Sequence, residues 1–281
     1  MQEFRKVKTE LDYAQTMAEV AQSFEEIYVL KMNKIKKSVE QSRDFFSGAL
    51  AVLGELKQGG VLKNNSAKLK TKNEVAVYIS GNDKFSGDIN LSVFNAFIKY
   101  ATNSSCDLVV LGKIGDKLYR QRGVFRKYLY YDLENEYPDP QKISQIVASL
   151  SVYKKVSVFY GKFVNLLTQN QTVAVISDSA DMFVRESKHN KLADINTTKY
   201  IFEPSFDKIW SFFETQVFGS LFKQAVYESC LAQIGGRICT MEASYSNIEK
   251  KVRLLQNAVM NSYKKQQSKK QINNLVRFMT V

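Results

Sequence analysis

Proline is nearly missing from this chain of 281 residues, which has prolines only at positions 138, 140 and 204. Because proline breaks helix interiors, the proline-free stretches 1–137 and 205–281 can hold long uninterrupted helices. Histidine is scarcer still, and the single His189 lies in a polar, charged run where a solvated side chain is expected. With this single histidine, the sequence offers neither a catalytic triad nor a histidine-based metal site.

Cysteine is also sparse, and Cys106, Cys230 and Cys239 have neither zinc-ligand nor redox spacing. We expect reduced thiols, with Cys239 buried on a helix. No stretch approaches the roughly 20 apolar residues of a membrane-spanning helix. The first residues lead into a charged periodic segment and not an apolar leader. These absences favour a protein that is soluble, or peripheral on something else.

Phosphate-binding fingerprints are absent as well. The turn Ser80–Gly87 and the segment Gly112–Gly115 contain glycines, but their spacing matches neither a phosphate loop nor a dinucleotide-binding loop. Asp83 and Asp88 could pair with Asp107 around a cation, although turn formation explains each of them better. The sequence thus predicts no catalytic residue, no metal ligand and no cofactor.

A heptad seam runs through the first helix-forming stretch. Only Glu25 and Ser42 interrupt it, and its apolar members follow steps of four and three: Val7, Leu11, Ala14, Ala18, Ala21, Tyr28, Met32, Ile35, Val39, Phe46, Ala49, Leu53 and Leu56. Such a repeat is the mark of a coiled coil. At ~1.5 Å per residue, its fifty residues span about 75 Å. The helix is predicted to stop at Gln58, before two glycines.

The last stretch of the chain repeats the pattern without a miss. Its seam contains Leu231, Ile234, Ile238, Met241, Tyr245, Ile248, Val252, Leu255 and Val259. Glu203-Pro204-Ser205 fits a helix start. A strict seven-residue repeat favours left-handed supercoiling. We therefore predict that the N- and C-terminal helices pair as a long antiparallel coiled coil.

The net charge of +12 is concentrated towards one end. Residues 249–281 contain eight Lys or Arg and a single Glu, and the seam loses its apolar residues after Val259. Two readings remain open from the pattern alone. One is a solvated basic face or a fraying tail, and the other is a tip that leaves its helical partner and contacts an acidic or ring-shaped one.

The pattern in the middle of the chain predicts an α/β domain. Strands are predicted at 75–79, 107–112, 125–133, 155–163 and 172–176, with helices at 88–99 and from 141 to about 153. This alternation favours a small parallel, Rossmann-like sheet. The predicted fold class is α/β with a long antiparallel coiled coil and this sheet domain between its two helices. The predicted domains are residues 1–58 (helix), 59–72 (basic linker), 73–203 (α/β) and 204–281 (helix).

Several segments carry a family resemblance. Gly235 to Asn247 resembles the signature Ala-Ala-Arg-Met-x-Ala-Met-x-x-Ala-x-x-Asn of the gamma subunit of F-type ATP synthases, with Arg237, Met241 and Asn247 on its Arg, second Met and Asn. Tyr200 to Pro204 resembles the family's entry to that helix. Ser80 to Asn90 resembles its Ser-x-Asp-Arg-Gly-Leu-Cys-Gly-x-x-Asn turn, with Ser80, Gly87 and Asn90 matching.

The resemblance implies a central rotary shaft. It would transmit torque between an ion-driven membrane rotor and the catalytic hexamer of alpha and beta subunits, at the cytoplasmic face of the cell membrane, with an epsilon-type subunit and the rotor ring as further partners. It implies no active site, cofactor or nucleic acid in this chain. Partner contacts are expected at Ser80, Asn82, Asp83, Gly87, Asn90, Arg237, Met241, Asn247, Lys250, Lys251, Arg253, Lys264, Lys265, Lys269 and Lys270.

The sequence also departs from the family. In the turn, Asn82 and Asp83 replace Asp and Arg. Lys264 to Leu275 keeps little of the family's last helical motif. A gamma-like shaft of a specialised ATPase for motility or secretion therefore stays open. So does a basic coiled-coil nucleic-acid binder, although no recognition motif supports it. An enzyme in the α/β domain would need a pocket at the strand ends.

Overall fold

A computed structural model describes residues 2–58, 72–123, 126–133, 138–177 and 206–279. Five helices and five strands are assigned within these ranges. In chain order they are α1 (Gln2–Gln58), β1 (Lys72–Ile79), α2 (Ile89–Asn103), β2 (Asp107–Leu111), α3 (Lys113–Gln121), β3 (Tyr128–Tyr131), α4 (Pro140–Leu150), β4 (Tyr153–Phe163), β5 (Gln169–Ser177) and α5 (Phe206–Met279). Within the described ranges, none of the helices combines the length and the apolar character that a membrane span requires.

The chain divides into two compact parts. The helical unit combines Met1–Leu30 with Arg237–Val281, and the sheet unit comprises Lys31–Gly236. Helices α1 and α5 each contribute to both, with lengths of 57 and 74 residues. Their uninterrupted length agrees with the absence of proline from both sequences.

The five strands form one mixed sheet in the order β3-β2-β1-β4-β5. Strands β3, β2, β1 and β4 run parallel to one another, whereas β5 pairs with β4 as an antiparallel hairpin. The predicted parallel sheet therefore has an antiparallel edge. A short hairpin favours this arrangement, because a parallel neighbour needs a crossover connection of a dozen residues or more.

Two apolar layers cover the sheet. On one face, α2 and α3 pack through Val93, Phe94, Phe97 and Tyr119 onto alternate strand residues such as Tyr78. On the other face, α4 and the Phe222–Val226 part of α5 cover Val77 and Val158. The strands are buried on both sides, which explains their nearly continuous apolar runs.

Several predicted boundaries differ from those in the structure. Strand β3 is shorter than predicted, because Arg126 and Lys127 precede it as irregular chain and its first extended residue is Tyr128. Helix α3 was not predicted at all, although it follows directly from Gly112. Cys239, predicted to be buried, is half-buried. Most of the predicted linker, His189, and the segment Tyr200–Pro204 lie outside the described residues.

Candidate functional site

The turn between β1 and α2 closes onto the start of α3. Three successive backbone N–H groups of α3 donate to this turn: Lys113 to Asn82 Oδ1 at 2.7 Å, Ile114 to Gly81 O at 3.0 Å, and Gly115 to Ser80 Oγ at 2.8 Å. These groups have no partner within their own helix. The turn therefore caps α3 from outside and occupies N–H groups of the kind that bind phosphate at other helix N-termini.

Glycine makes this closure possible. Gly112 adopts φ +89°, and a Cβ there would meet the carbonyl oxygen of Ser80 at 2.6 Å. Gly115 also lies close to Ser80, and a Cβ there would approach its Oγ to 2.6 Å. Both positions therefore exclude larger residues, and the sequence Gly-Lys-Ile-Gly is explained by packing against the turn.

The remaining polar residues of the turn are held by the sheet unit itself. Asn82 also donates to Asp132 Oδ1 at 2.6 Å and to the carbonyl of Leu133. Asn90 donates to Ser86 Oγ at 2.7 Å, and its carbonyl accepts the hydroxyl of Tyr78 at 2.8 Å. Burial strongly raises the pKa of Tyr78, which keeps the hydroxyl protonated and able to donate.

Helix α5 crosses the carboxyl end of the sheet beside this turn. β1 lies between β2 and β4, and the connections to these two neighbours run on opposite faces. Open α/β sheets bind ligands in the crevice at such a reversal. Here Ser229 of α5 reaches the carbonyl of Ile79 at 3.4 Å, and Ala232 packs beside Gly161 of β4. The crevice is thus filled by the protein's own helix.

Glycines set the distance between α5 and its neighbours in the sheet unit. A Cβ on Gly236 would overlap the carbonyl group of Ser86, with the carbonyl carbon at 2.8 Å. A Cβ on Gly235 would touch Phe163 Cε2 at 3.0 Å, and one on Gly161 would touch Ile89 Cγ1 at 2.7 Å. Helix α5 therefore lies against the turn at a separation that alanine at Gly236 would not permit, and alanine at Gly235 would require the Phe163 ring to shift. Gly161 in turn keeps β4 close to α2.

Within the helical unit, α1 and α5 make contacts whose order reverses along the two helices. Phe4 lies 6.4 Å from Tyr263 between ring centroids, and Glu10 pairs with Lys251 at 3.1 Å. The guanidinium of Arg237 lies 5.6 Å from the ring centroid of Tyr28. As residue numbers rise in α1 they fall in α5, so these contacts run antiparallel.

Burial along α1 follows the predicted seam. From Val7 to Val39 the seam residues are buried or half-buried, and Ala14, Ala21, Ile35 and Val39 are the most enclosed. Glu25, which interrupts the seam, is half-buried and faces Glu242 of α5. Burial, followed by repulsion from Glu242, raises the pKa of Glu25.

A second apolar stripe on α1 was missed at the sequence level. Tyr13, Met17, Val20, Phe24 and Ile27 also follow steps of four and three, and they are 43–68% exposed. Five acidic residues and no Lys or Arg occur between positions 9 and 30. The repeat was visible in the sequence, but the neighbouring seam explained helix pairing and left it without a role.

The expected contact residues fall into four sets. Ser80, Asn90 and Arg237 are 2%, 6% and 4% exposed, so they could influence a partner only through the turn and helix they support. Lys251 and Arg253 pair with Glu10 and Glu249, respectively. The third set is exposed in the described structure and consists of Asn247, Lys250, Lys264, Lys265, Lys269 and Lys270. Met241 is half-buried, and Asn82, Asp83 and Gly87 belong to the turn.

Comparison with known proteins gives concordant matches. The model of the family described as ATP synthase matches residues 3–272. The ATP synthase gamma chain of Levilactobacillus brevis is 25% identical over 267 residues, covering 89% of both chains. That of Xanthomonas oryzae pv. oryzae is 21% identical over 265 residues, covering 90% of both.

Solved structures share the fold. A chain of the Tetrahymena thermophila mitochondrial ATP synthase central stalk and c-ring matches with a TM-score of 0.61 at 17% identity, covering 80% of this chain and 99% of that one. A chain of the Euglena gracilis mitochondrial OSCP, F1 and c-ring assembly matches with a TM-score of 0.59 at 13% identity, covering 99% and 93%.

Proposed function

The chain belongs to the gamma-subunit family of F-type ATP synthases, and we propose that it acts as the central rotary shaft of such a complex. In this role it transmits torque between the ion-driven membrane rotor and the catalytic hexamer of alpha and beta subunits, during ATP synthesis or hydrolysis. The chain contributes shape and stiffness to the reaction, and nucleotide chemistry belongs to the surrounding subunits.

The second stripe of α1 is the observation that carries this proposal. A helix that already contacts α5 through its seam has no need of another apolar face unless a further partner covers it. The stripe lies 43–68% exposed in the isolated chain. Enclosure of the helical unit by a ring of subunits would cover it.

The pairing of α1 and α5 as an antiparallel coiled coil is part of the proposal. The contacts from Phe4 to Tyr263 and from Tyr28 to Arg237 support it, as does the buried heptad seam. Two supercoiled helices resist twisting better than one helix, because rotation of either must displace the side chains packed in the seam. Such stiffness suits a shaft.

The basic end of α5 is proposed to face acidic loops of the surrounding ring. Lys264, Lys265, Lys269 and Lys270 are all exposed. Attraction between charges acts over several ångströms without interlocking, so it tolerates rotation better than apolar contacts that fit one orientation. The complex is membrane-associated, and we propose that this chain lies at the cytoplasmic face, together with an epsilon-type subunit and the rotor ring.

Co-purification from the native cell, followed by an ATPase assay, tests the function. We expect a single copy of the chain within a ring of alpha and beta subunits, with nucleotide bound only by those subunits. Recovery of the chain alone or on nucleic acid would contradict the proposal. The presence or absence of a membrane rotor ring would distinguish an ATP synthase from a specialised ATPase for motility or secretion.

Charge neutralisation tests the basic end separately. Changing Lys264, Lys265, Lys269 and Lys270 to Gln should lower the ATPase rate of the assembled complex. Changing Lys36, Lys37, Lys99 and Lys117 to Gln removes the same charge from exposed positions elsewhere and serves as the control. Equal rates in both variants and the unchanged protein would refute the contact.

A further inference from the structure

Two consecutive glycines interrupt the middle of helix α5, which is the longest helix of the described structure. Each glycine in a helix interior costs about 1 kcal/mol relative to alanine, because it orders a more flexible backbone. Gly235 and Gly236 are both buried. A stiff shaft would therefore be expected to avoid them, unless the missing side chains serve a purpose.

The contacts around these glycines supply that purpose. Gly236 admits the carbonyl of Ser86 from the β1–α2 turn, and Gly235 admits the ring of Phe163 from the β4–β5 hairpin. On the facing strand, Gly161 admits Ala232 of α5, whose Cβ would lie 3.3 Å from an added Cβ. Two elements of the sheet unit, the β1–α2 turn and strand β4, thus press against one turn of α5.

The turn on which Gly236 rests is itself rigidly held. Ser86 accepts from Asn90, and Ser80 and Asn82 cap helix α3. Phe85, next to Ser86, adopts φ +66°, a conformation that a residue with a side chain adopts only where its surroundings impose it. A force on α5 at Gly236 is therefore passed into α2, α3 and the sheet.

We propose that Gly235 and Gly236 are the positioning residues through which torque passes between helix α5 and the α/β domain. This glycine clamp, consisting of Gly235 and Gly236 with Ser86, Phe163 and Gly161, acts by close approach to the backbone of the glycines. This inference rests on the proposed shaft function and extends it by identifying the residues through which α5 is fixed to the α/β domain. The glycines are needed for fit, and their flexibility is not used.

The clamp predicts that alanine at these positions lowers the torque delivered to the α/β domain without lowering the rate of ATP hydrolysis. In the complex of this chain with alpha and beta subunits, a bead is attached to the α/β domain through an N103C variant at the exposed end of α2. The G236A variant should hydrolyse ATP at the unchanged rate, because the ring acts on the rest of α5. The bead should rotate with lower torque, because the helix is pushed away from Ser86.

Matched variants keep this test decisive. G219A lies in the same helix, where an added Cβ would meet only Val147 Cγ1 at 3.6 Å, and it should leave the torque unchanged. If the G236A variant does not assemble, the G235A variant serves instead, because its added Cβ causes a smaller steric overlap, with the Phe163 ring. F163L should restore its torque by making room, and F163L alone is the further control.

The outcomes distinguish the clamp from the shaft function. Failure of the unchanged complex to rotate would overturn the shaft function itself. If the unchanged complex rotates, and the G236A and G235A complexes both rotate with the same full torque, the clamp alone is overturned. Higher torque in the alanine variants would also overturn it, because it would show that the glycines act as a flexible hinge that alanine stiffens.

Discussion

The hydroxyl of Ser80 links two strands and a helix, since it donates to the carbonyl of Leu111 at 2.6 Å and accepts the N–H of Gly115 at 2.8 Å. Ser80 is 2% exposed, so water cannot replace either partner. Substitution S80A should therefore lower the free energy of unfolding by about 1–3 kcal/mol. Urea unfolding measures this difference.

The control for S80A is S144A. Ser144 is exposed on α4, and its hydroxyl donates only to the carbonyl one turn earlier, at Pro140. Its removal should change stability by less than about 0.5 kcal/mol. Equal effects of the two substitutions would show that the closure of the turn onto α3 contributes nothing to stability.

Glu74 gives the sheet unit a defined response to acid. Burial acts to raise its pKa, but hydrogen bonds involving Lys155 and Tyr100 outweigh burial and leave the pKa below its ordinary value. A carboxylate with a lowered folded-state pKa stabilises the protein above its unfolded pKa and loses that contribution as the pH falls through the folded value.

Substitution E74Q should accordingly cost on the order of 1 kcal/mol at neutral pH, a modest figure because the Lys155 side chain is 42% exposed and screened by water. The cost should begin to shrink as the pH falls past about 4.3 and continue to shrink below it. Thermal unfolding across this range measures it. E249Q, which breaks an exposed pair on α5, should change little at any pH. A cost for E74Q that stays constant with pH would contradict the assignment.

The seam carboxylate Glu25 should behave in the opposite sense. Burial and the nearby Glu242 raise its pKa, so the ionised form opposes folding above that pKa. Substitution E25Q should therefore stabilise the protein at neutral pH by a few tenths of a kcal/mol. The gain should disappear as the pH falls through the raised pKa of Glu25. E19Q, at an exposed position of the same helix, should give no comparable gain.

The stacking of Arg237 on Tyr28 tests the pairing of the two long helices. Substitution Y28L removes the ring from beneath the buried guanidinium and should lower the free energy of unfolding by about 1 kcal/mol or more. Y28F keeps the ring face and should cost less. Equal losses in chemical unfolding would show that the cation–ring contact is unimportant.

The sequence was most informative where one period repeats over many residues. The heptad steps from Val7 to Val39 identified the enclosed face of α1, because a helix side that packs must recur every three or four residues. Strands β1 and β2 were equally clear, because burial on both faces requires continuous apolar runs. The boundaries of β3 and the existence of α3 were not, since both depend on contacts with distant residues.

The candidate site was harder to read for the same reason. Ser80 and Asn82 were noticed through family resemblance, and Gly236 only as part of the segment Gly235 to Asn247. The sequence neighbours of these residues do not reveal that Ser80 caps a helix beginning at Lys113. Nor do they reveal that Gly236 rests on Ser86. Hydrogen bonds and close packing between distant segments leave no periodic signal. The spacing of glycines excluded phosphate-loop and dinucleotide-loop fingerprints but did not indicate that these glycines admit close neighbours.

Because α5 is part of the sheet unit, the sheet unit cannot finish packing until the end of the chain has been synthesised. Phe222, Ala225 and Val226 complete one apolar layer, and Ser229 meets Ile79 across a separation of 150 residues. A ribosome produces the chain from the first residue, so the sheet emerges long before its covering helix. Until α5 arrives, the part of this layer that α4 does not cover stays exposed, and such surface invites aggregation. The shaft therefore passes through an aggregation-prone stage during synthesis, which ends when α5 packs onto the sheet.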